Sequence, residues 1–355
     1  MERKRLIGLD VFRILSALMV YLFHTFVHMR YYYGALHSFI RMGAVFMTAF
    51  FMLSGFSLYI SNRQNNLMQL DEMKQFYLKR FMGVMPVYYV VAILYIIFLG
   101  KESLLDNLVL APVEVMGLQA TLGELFPYSH NTGTWFISCL VIFYLLYPFM
   151  QEVLKQLSFR AKMTLILLCY FILAWFAIVV WKLKLEYIYT NPFFRGIEFL
   201  SGAVLAAGIE ELQKIKFCQW FMKWRIFLAE MLILILVVTA AVELDFAVGN
   251  YMTYDMFCFP IFIIILFTLS GVESKRLASS KLLRYLSSIS YVFFLAQFFT
   301  WDLSGWIIKS FAVDNNYLKM GISFGICMLF TILLHEFVEK PIRRLSGKFL
   351  KKKEA

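Results

Sequence analysis

The chain is a succession of apolar runs long enough to cross a bilayer, and such runs have few ways to fold. Inside the hydrocarbon region no water satisfies peptide groups, so a spanning segment must be a helix or a strand of a closed barrel. The runs lack period-2 alternation and are filled with Phe (38) and Met (19), a pattern that excludes barrel strands and predicts helices. Hydrophobic residues make up 61% of the 355 and charged residues only 16%, a balance far from that of a soluble globular domain. The expected architecture is an all-α, polytopic integral membrane protein forming one transmembrane domain over residues 1–355.

Segments of about bilayer length fall near residues 9–28, 42–60, 84–99, 133–149, 163–181, 193–209, 226–242, 256–271, 288–308 and 318–336, which makes about ten transmembrane helices. The distribution of Lys and Arg orients them. With the N-terminus in the cytoplasm, the inner segments carry four, four, three, four and four basic residues, and the tail after 336 carries seven. These account for 26 of the 34 Lys and Arg residues, so both termini are expected in the cytoplasm. A net charge of +11 therefore reflects membrane topology, and no nucleic-acid partner is expected. The first apolar run lacks a small-residue cleavage site and reads as an uncleaved span. The basic tail, about 342–355, reads as a solvated end that also touches anionic membrane lipid. Five scattered cysteines show neither CxxC spacing nor His neighbours, so no metal is expected.

Asp10, Arg13 and His24 lie inside the first span, where ionisable groups are expensive and mark a site. At 100° per residue, the eleven steps from Arg13 to His24 bring the two side chains to within about 20° of one stripe, roughly 16 Å apart along the axis. Asp10 and His28 lie within about 60° of the same stripe. The stripe thus carries an acid and a guanidinium at the cytoplasmic mouth and an imidazole three turns deeper. A long, thin substrate with a charged head, such as coenzyme A, fits that spacing, and a neutral imidazole suits general-base work on a hydroxyl. The structural reading is that Arg13 snorkels to headgroups while His24 makes an interhelical hydrogen bond.

Further motifs follow in chain order. Gly8-Leu9-Asp10-Val11-Phe12-Arg13 with His24 is followed by Phe51-Met52-Leu53-Ser54-Gly55-Phe56, by Phe76 to Arg80 leading to Pro86-Val87-Tyr88, and by Trp135-Phe136 with Phe143 to Pro148. Arg195-Gly196-Ile197-Glu198-Phe199 with Gly202, Ser288-Ile289-Ser290-Tyr291, and Phe337 to Arg344 complete the series. Together they resemble the acyltransferase-3 family, the multi-pass acyl-CoA-dependent acyltransferases of surface polysaccharides. The resemblance implies an O-acyltransferase, most simply an O-acetyltransferase, of a bacterial plasma membrane. Acyl-CoA would serve as co-substrate and the hydroxyl of an extracytoplasmic carbohydrate or glycolipid as acceptor. It makes His24 the catalytic histidine, with Asp10 and Arg13 as its partners. Arg13, Lys79 and Arg80 would hold the donor, and Arg195, Glu198 and Trp135 would lie on the acceptor side.

Three positions depart from the family pattern. Gly83 stands where a second arginine of an R-x-x-R pair is common, Gln297 where a histidine is common, and His130 sits five residues before Trp135 instead of directly before it. Gln cannot carry a proton, so Gln297 receives no acid–base role. Ser54-Gly55 reads as a close helix contact, and Arg195 with Glu198, spaced i, i+3, as a same-face pair. His28, His37 and His335 read as structural or solvated, and Pro341 as the stop of the last helix. The rival class is a transporter or flippase of a polysaccharide precursor, which would carry inverted repeats and interrupted spans. Neither is visible. A homo-oligomer is compatible with the sequence.

Overall fold

The computed structural model describes residues 5–98, 100, 103–121, 132–185 and 188–352. Among these the chain is 84% helical with no strand. The helices are, in order, α1 (Ile7–Met29), α2 (His37–Arg41), α3 (Phe46–Asn62), α4 (Leu70–Phe98), α5 (Leu104–Val115), α6 (Trp135–Gln156), α7 (Phe159–Leu183) and α8 (Pro192–Ala207). They continue with α9 (Ile209–Lys214), α10 (Lys216–Phe221), α11 (Trp224–Glu243), α12 (Asp255–Gly271), α13 (Lys275–Ser279), α14 (Lys281–Ser310), α15 (Asn316–Leu334) and α16 (Lys340–Lys352). Among the described residues, eight helical segments are long and apolar enough to cross a membrane. The expected spans near 193–209 and 256–271 coincide with the shorter helices α8 and α12.

Two expected boundaries move. The span expected from residue 84 begins earlier: α4 starts at Leu70 and carries Lys79 and Arg80 within the helix. Asp71 and Glu72 in its first turn favour that early start through the helix dipole. Pro341 was expected to stop the last helix, yet the chain continues as α16. A π-turn over His335–Glu339 lets the Lys340 amide donate to His335 O five residues back. Pro341 then stands in the first turn of α16, where a missing amide hydrogen costs nothing.

The chain divides into two compact units. The first comprises residues 1–64, 150–189 and 193–288, and the second 65–149, 190–192 and 289–355. In the first unit, α1 packs on α3 and α12, and α12 packs in turn on α3, α7 and α11. Phe12, Phe46 and Phe262 meet at this junction and are fully buried. Helices α3 and α8 approach through glycines: a Cβ on Gly55 would be driven into Phe199 O, and one on Gly202 into Met52 O. The Ser54-Gly55 reading as a close contact matches this geometry.

In the second unit, α4 packs on α16 and on the π-turn. The Tyr88 and Tyr89 hydroxyls donate to Glu114 O and Val115 O at the end of α5. That helix opens on a capping box in which Asp106 N donates to Ser103 Oγ and Ser103 N to Asp106 Oδ2. The Ser103 hydroxyl and amide hold the Asp106 carboxyl below its ordinary range.

A Gly55→Ala exchange forces a methyl group against backbone that cannot swing away. It should cost at least about 1–3 kcal/mol, read as a lower melting temperature in detergent, whereas Gly83→Ala, with open space around its Cα, should melt like the wild type.

Candidate active site

The polar stripe of α1 is built around one carboxylate. Asp10, 8% exposed on an otherwise apolar turn, meets Arg5 Nε at 2.5 Å through Oδ2 and Arg13 Nη1 at 3.3 Å through Oδ1. Ser287 Oγ donates to Asp10 Oδ1 at 2.6 Å and accepts from Arg13 Nη1 at 3.1 Å, and Ser57 Oγ accepts from Arg13 Nη2 at 3.2 Å. Asp10 and the two serines therefore fix the guanidinium from α1, α3 and α14. The Arg13 side chain remains 29% exposed, so it is oriented without being sealed.

It faces a cavity of about 620 Å³ whose wall includes Arg5, Asp10, Arg13, Ser57, Ser61 and Arg63. Arg63 pairs with Glu210 on the same wall. Three guanidiniums around one cavity suit a ligand with several anionic oxygens, because Arg presents fixed forks of donors to carboxylate and phosphate.

His24 lies further along α1, half-buried, with its ring 5.2 Å from that of Phe23 and 6.2 Å from that of His28. The cavity wall reaches Arg13 on α1 and stops short of His24. His28 is exposed in the last turn of the helix.

Arg195 and Glu198 form a second, sealed cluster in the same unit, at 1% and 0% exposure. Arg195 Nη1 donates to Glu198 Oε1 at 2.7 Å and to Thr48 Oγ1 at 3.1 Å, while Nε donates to Tyr189 O at 2.7 Å. The guanidinium also lies 4.3 Å from the Tyr189 ring centroid. Thr48 Oγ1 is 2.8 Å from Asp255 Oδ1, which brings a second carboxyl group into the cluster.

The remaining expected residues belong to the second unit. Lys79 and Arg80 lie one residue apart on α4, and the Arg80 guanidinium sits 5.8 Å from the Phe76 ring and 5.9 Å from that of Tyr144. Trp135 opens α6 and is buried, with the preceding Thr134 carbonyl accepting from Gln119 Nε2 at 3.2 Å. Gln297 is fully buried. His335, expected to be structural or solvated, is buried and meets Glu339 Oε2 through Nδ1 at 2.6 Å. Glu339 also pairs with Arg343. His130 lies outside the described residues.

Sequence reasoning did not single out Arg5, Arg63, Ser57, Ser287, Thr48 or Asp255. Arg5 and Arg63 were absorbed into basic loops, and the hydroxyls carry no signal of their own. Asp255, a carboxyl group at the end of an apolar run, could have been found by the rule that singled out Asp10.

A bundle of membrane-length helices with a fixed guanidinium and an imidazole on one of them defines a polytopic membrane protein with a polar site built into its apolar core. Residues 6–336 match the family model described as an acyltransferase domain. The chain belongs to the acyltransferase-3 family and is a membrane acyltransferase. No curated protein and no solved structure matched it.

Replacing Arg195 with Met leaves the buried Glu198 carboxyl group without its guanidinium. The loss should be about 3–5 kcal/mol, seen as a collapse of the folded yield in membranes. Ser287→Ala removes only one support of Arg13 and should cost about 1 kcal/mol or less, measured by thermal unfolding in detergent.

Proposed function

We propose that this protein is a bacterial plasma-membrane O-acyltransferase, most simply an O-acetyltransferase. It takes acyl groups from acyl-CoA on the cytoplasmic side and passes them to a hydroxyl of an extracytoplasmic carbohydrate or glycolipid. The observation that carries this reading is the cavity lined by Arg5, Arg13 and Arg63, opening at the end of α1 that the charge bias assigns to the cytoplasm. Acyl-CoA has phosphates for those guanidiniums and a pantetheine arm long enough to run along α1 toward His24.

His24 acts as general base. Its imidazole takes the proton from the acceptor hydroxyl as the oxygen attacks the thioester carbonyl. The carbon–sulfur bond then breaks, and the coenzyme A thiolate leaves as the thiol after taking that proton. Asp10 positions Arg13, holding it by charge and geometry. Arg195 and Glu198 support the acceptor side by fixing Tyr189, whose carbonyl accepts from Arg195 Nε.

His24→Ala should lower transfer from labelled acyl-CoA in membranes by about 10²–10⁴-fold, the usual share of a general base. Transfer at the wild-type rate by a folded variant would remove His24 from the mechanism. Arg13→Ala should weaken coenzyme A binding, measured calorimetrically, by about tenfold or more, since a charged hydrogen bond is worth about 1.5–3 kcal/mol. The reaction itself is tested by the mass of surface glycans from cells with and without the protein, where an increment of one acetyl group per modified sugar is expected.

A further inference from the structure

The sealed cluster contains more acid than base. Glu198 and Asp255 are both buried, and Arg195 is the one guanidinium that bonds to either of them among the described residues. Arg41 forms no ion pair with either carboxyl group among the described residues. The other groups facing the cluster are the Thr48 hydroxyl from α3, Tyr189 and the Cys258 thiol of α12. With both carboxyl groups ionised, the cluster would carry an uncompensated negative charge in the protein interior, at a cost of several kcal/mol.

The hydrogen-bond arithmetic at Thr48 gives the same answer independently. Its Oγ1 lies 3.1 Å from Arg195 Nη1, 3.0 Å from Glu198 Oε1 and 2.8 Å from Asp255 Oδ1. Arg195 can only donate. A hydroxyl has one hydrogen, so it can donate to one carboxyl oxygen and no more. The other short contact is attractive only if that carboxyl group itself donates to the second lone pair of Oγ1. Glu198 Oε1 already accepts from Arg195, so the ionised group is Glu198.

We propose that Asp255 is a protonated acid in the working protein, and that Arg195, Glu198, Asp255 and Thr48 form a neutral hub holding one proton. The hub ties α3, α8 and α12 together without leaving net charge in the protein interior. It stands on the geometry alone and does not depend on the donor or acceptor proposed above.

The test compares infrared spectra of purified wild type and Asp255→Asn in lipid nanodiscs at neutral pH. The amide is a neutral mimic that can donate to Thr48, so Asp255→Asn should fold and melt like the wild type. The difference spectrum should contain the loss of one protonated-carboxyl carbonyl band. Loss of carboxylate bands in place of that carbonyl band would overturn the proposal, as would failure of Asp255→Asn to accumulate as folded protein. The double variant Glu198→Gln with Asp255→Asn removes every carboxylate from Arg195 and should fail to accumulate. Folding of that double variant as stably as wild type would refute the assignment of the charged pair to Arg195 and Glu198.

Discussion

A carboxylate that holds two guanidiniums inside an apolar helix is the interaction on which the polar side of this protein depends. Asp10 meets Arg5 and Arg13 at once and anchors Ser287 between them. Arg13 has a long, flexible side chain, and on an isolated helix it would snorkel toward water and explore many rotamers. Here Asp10, Ser57 and Ser287 hold it in one orientation toward the cavity. The ordering entropy is met by the fold before any ligand arrives, which is the condition for strong recognition of an anion.

The bilayer constraint is met in two different ways within the first unit. At the mouth of α1 the charges stay partly exposed, so water shares in their solvation and the guanidinium can exchange that water for a ligand. At the Arg195 cluster the charges are sealed at 1% and 0% exposure, and Glu198, Thr48 and the Tyr189 carbonyl hold the guanidinium. A sealed ion pair favours one arrangement of helices over others, because any misregistered packing leaves a charge unpaired. The glycine contact between α3 and α8 serves the same end by sterics, since only Gly55 and Gly202 let those backbones approach so closely. The first cluster is thus suited to binding and the second to specifying the fold.

What the sequence revealed divides along the same line. Helix content and the membrane environment follow from periodicity and hydropathy, and the stripe of Asp10, Arg13 and His24 on one helix follows from their spacing, all of which are local properties. The partners of these residues are not local. Ser57 and Ser287 are ordinary hydroxyls until tertiary packing brings them to Arg13, 44 and 274 residues away in the chain. Thr48 and Asp255 stand 207 residues apart and meet only because α12 packs against α3. Pro341 was misread because a proline ends a helix only where its missing amide would have been used, and the π-turn before it moves that position into a first turn.

The placement of Arg13 and His24 on one continuous helix has a mechanical consequence. Their separation is set by the rise of α1, roughly 16 Å, and not by the packing of several independent elements. Motions of loops around the cavity can change access to Arg13 without changing how far the imidazole lies from it. In the proposed reaction, a donor held by its charged head at Arg13 would present atoms a fixed length away, level with His24. Under that proposal the helix would act as a ruler, matched to donors whose reactive carbonyl lies about that far from the anionic head.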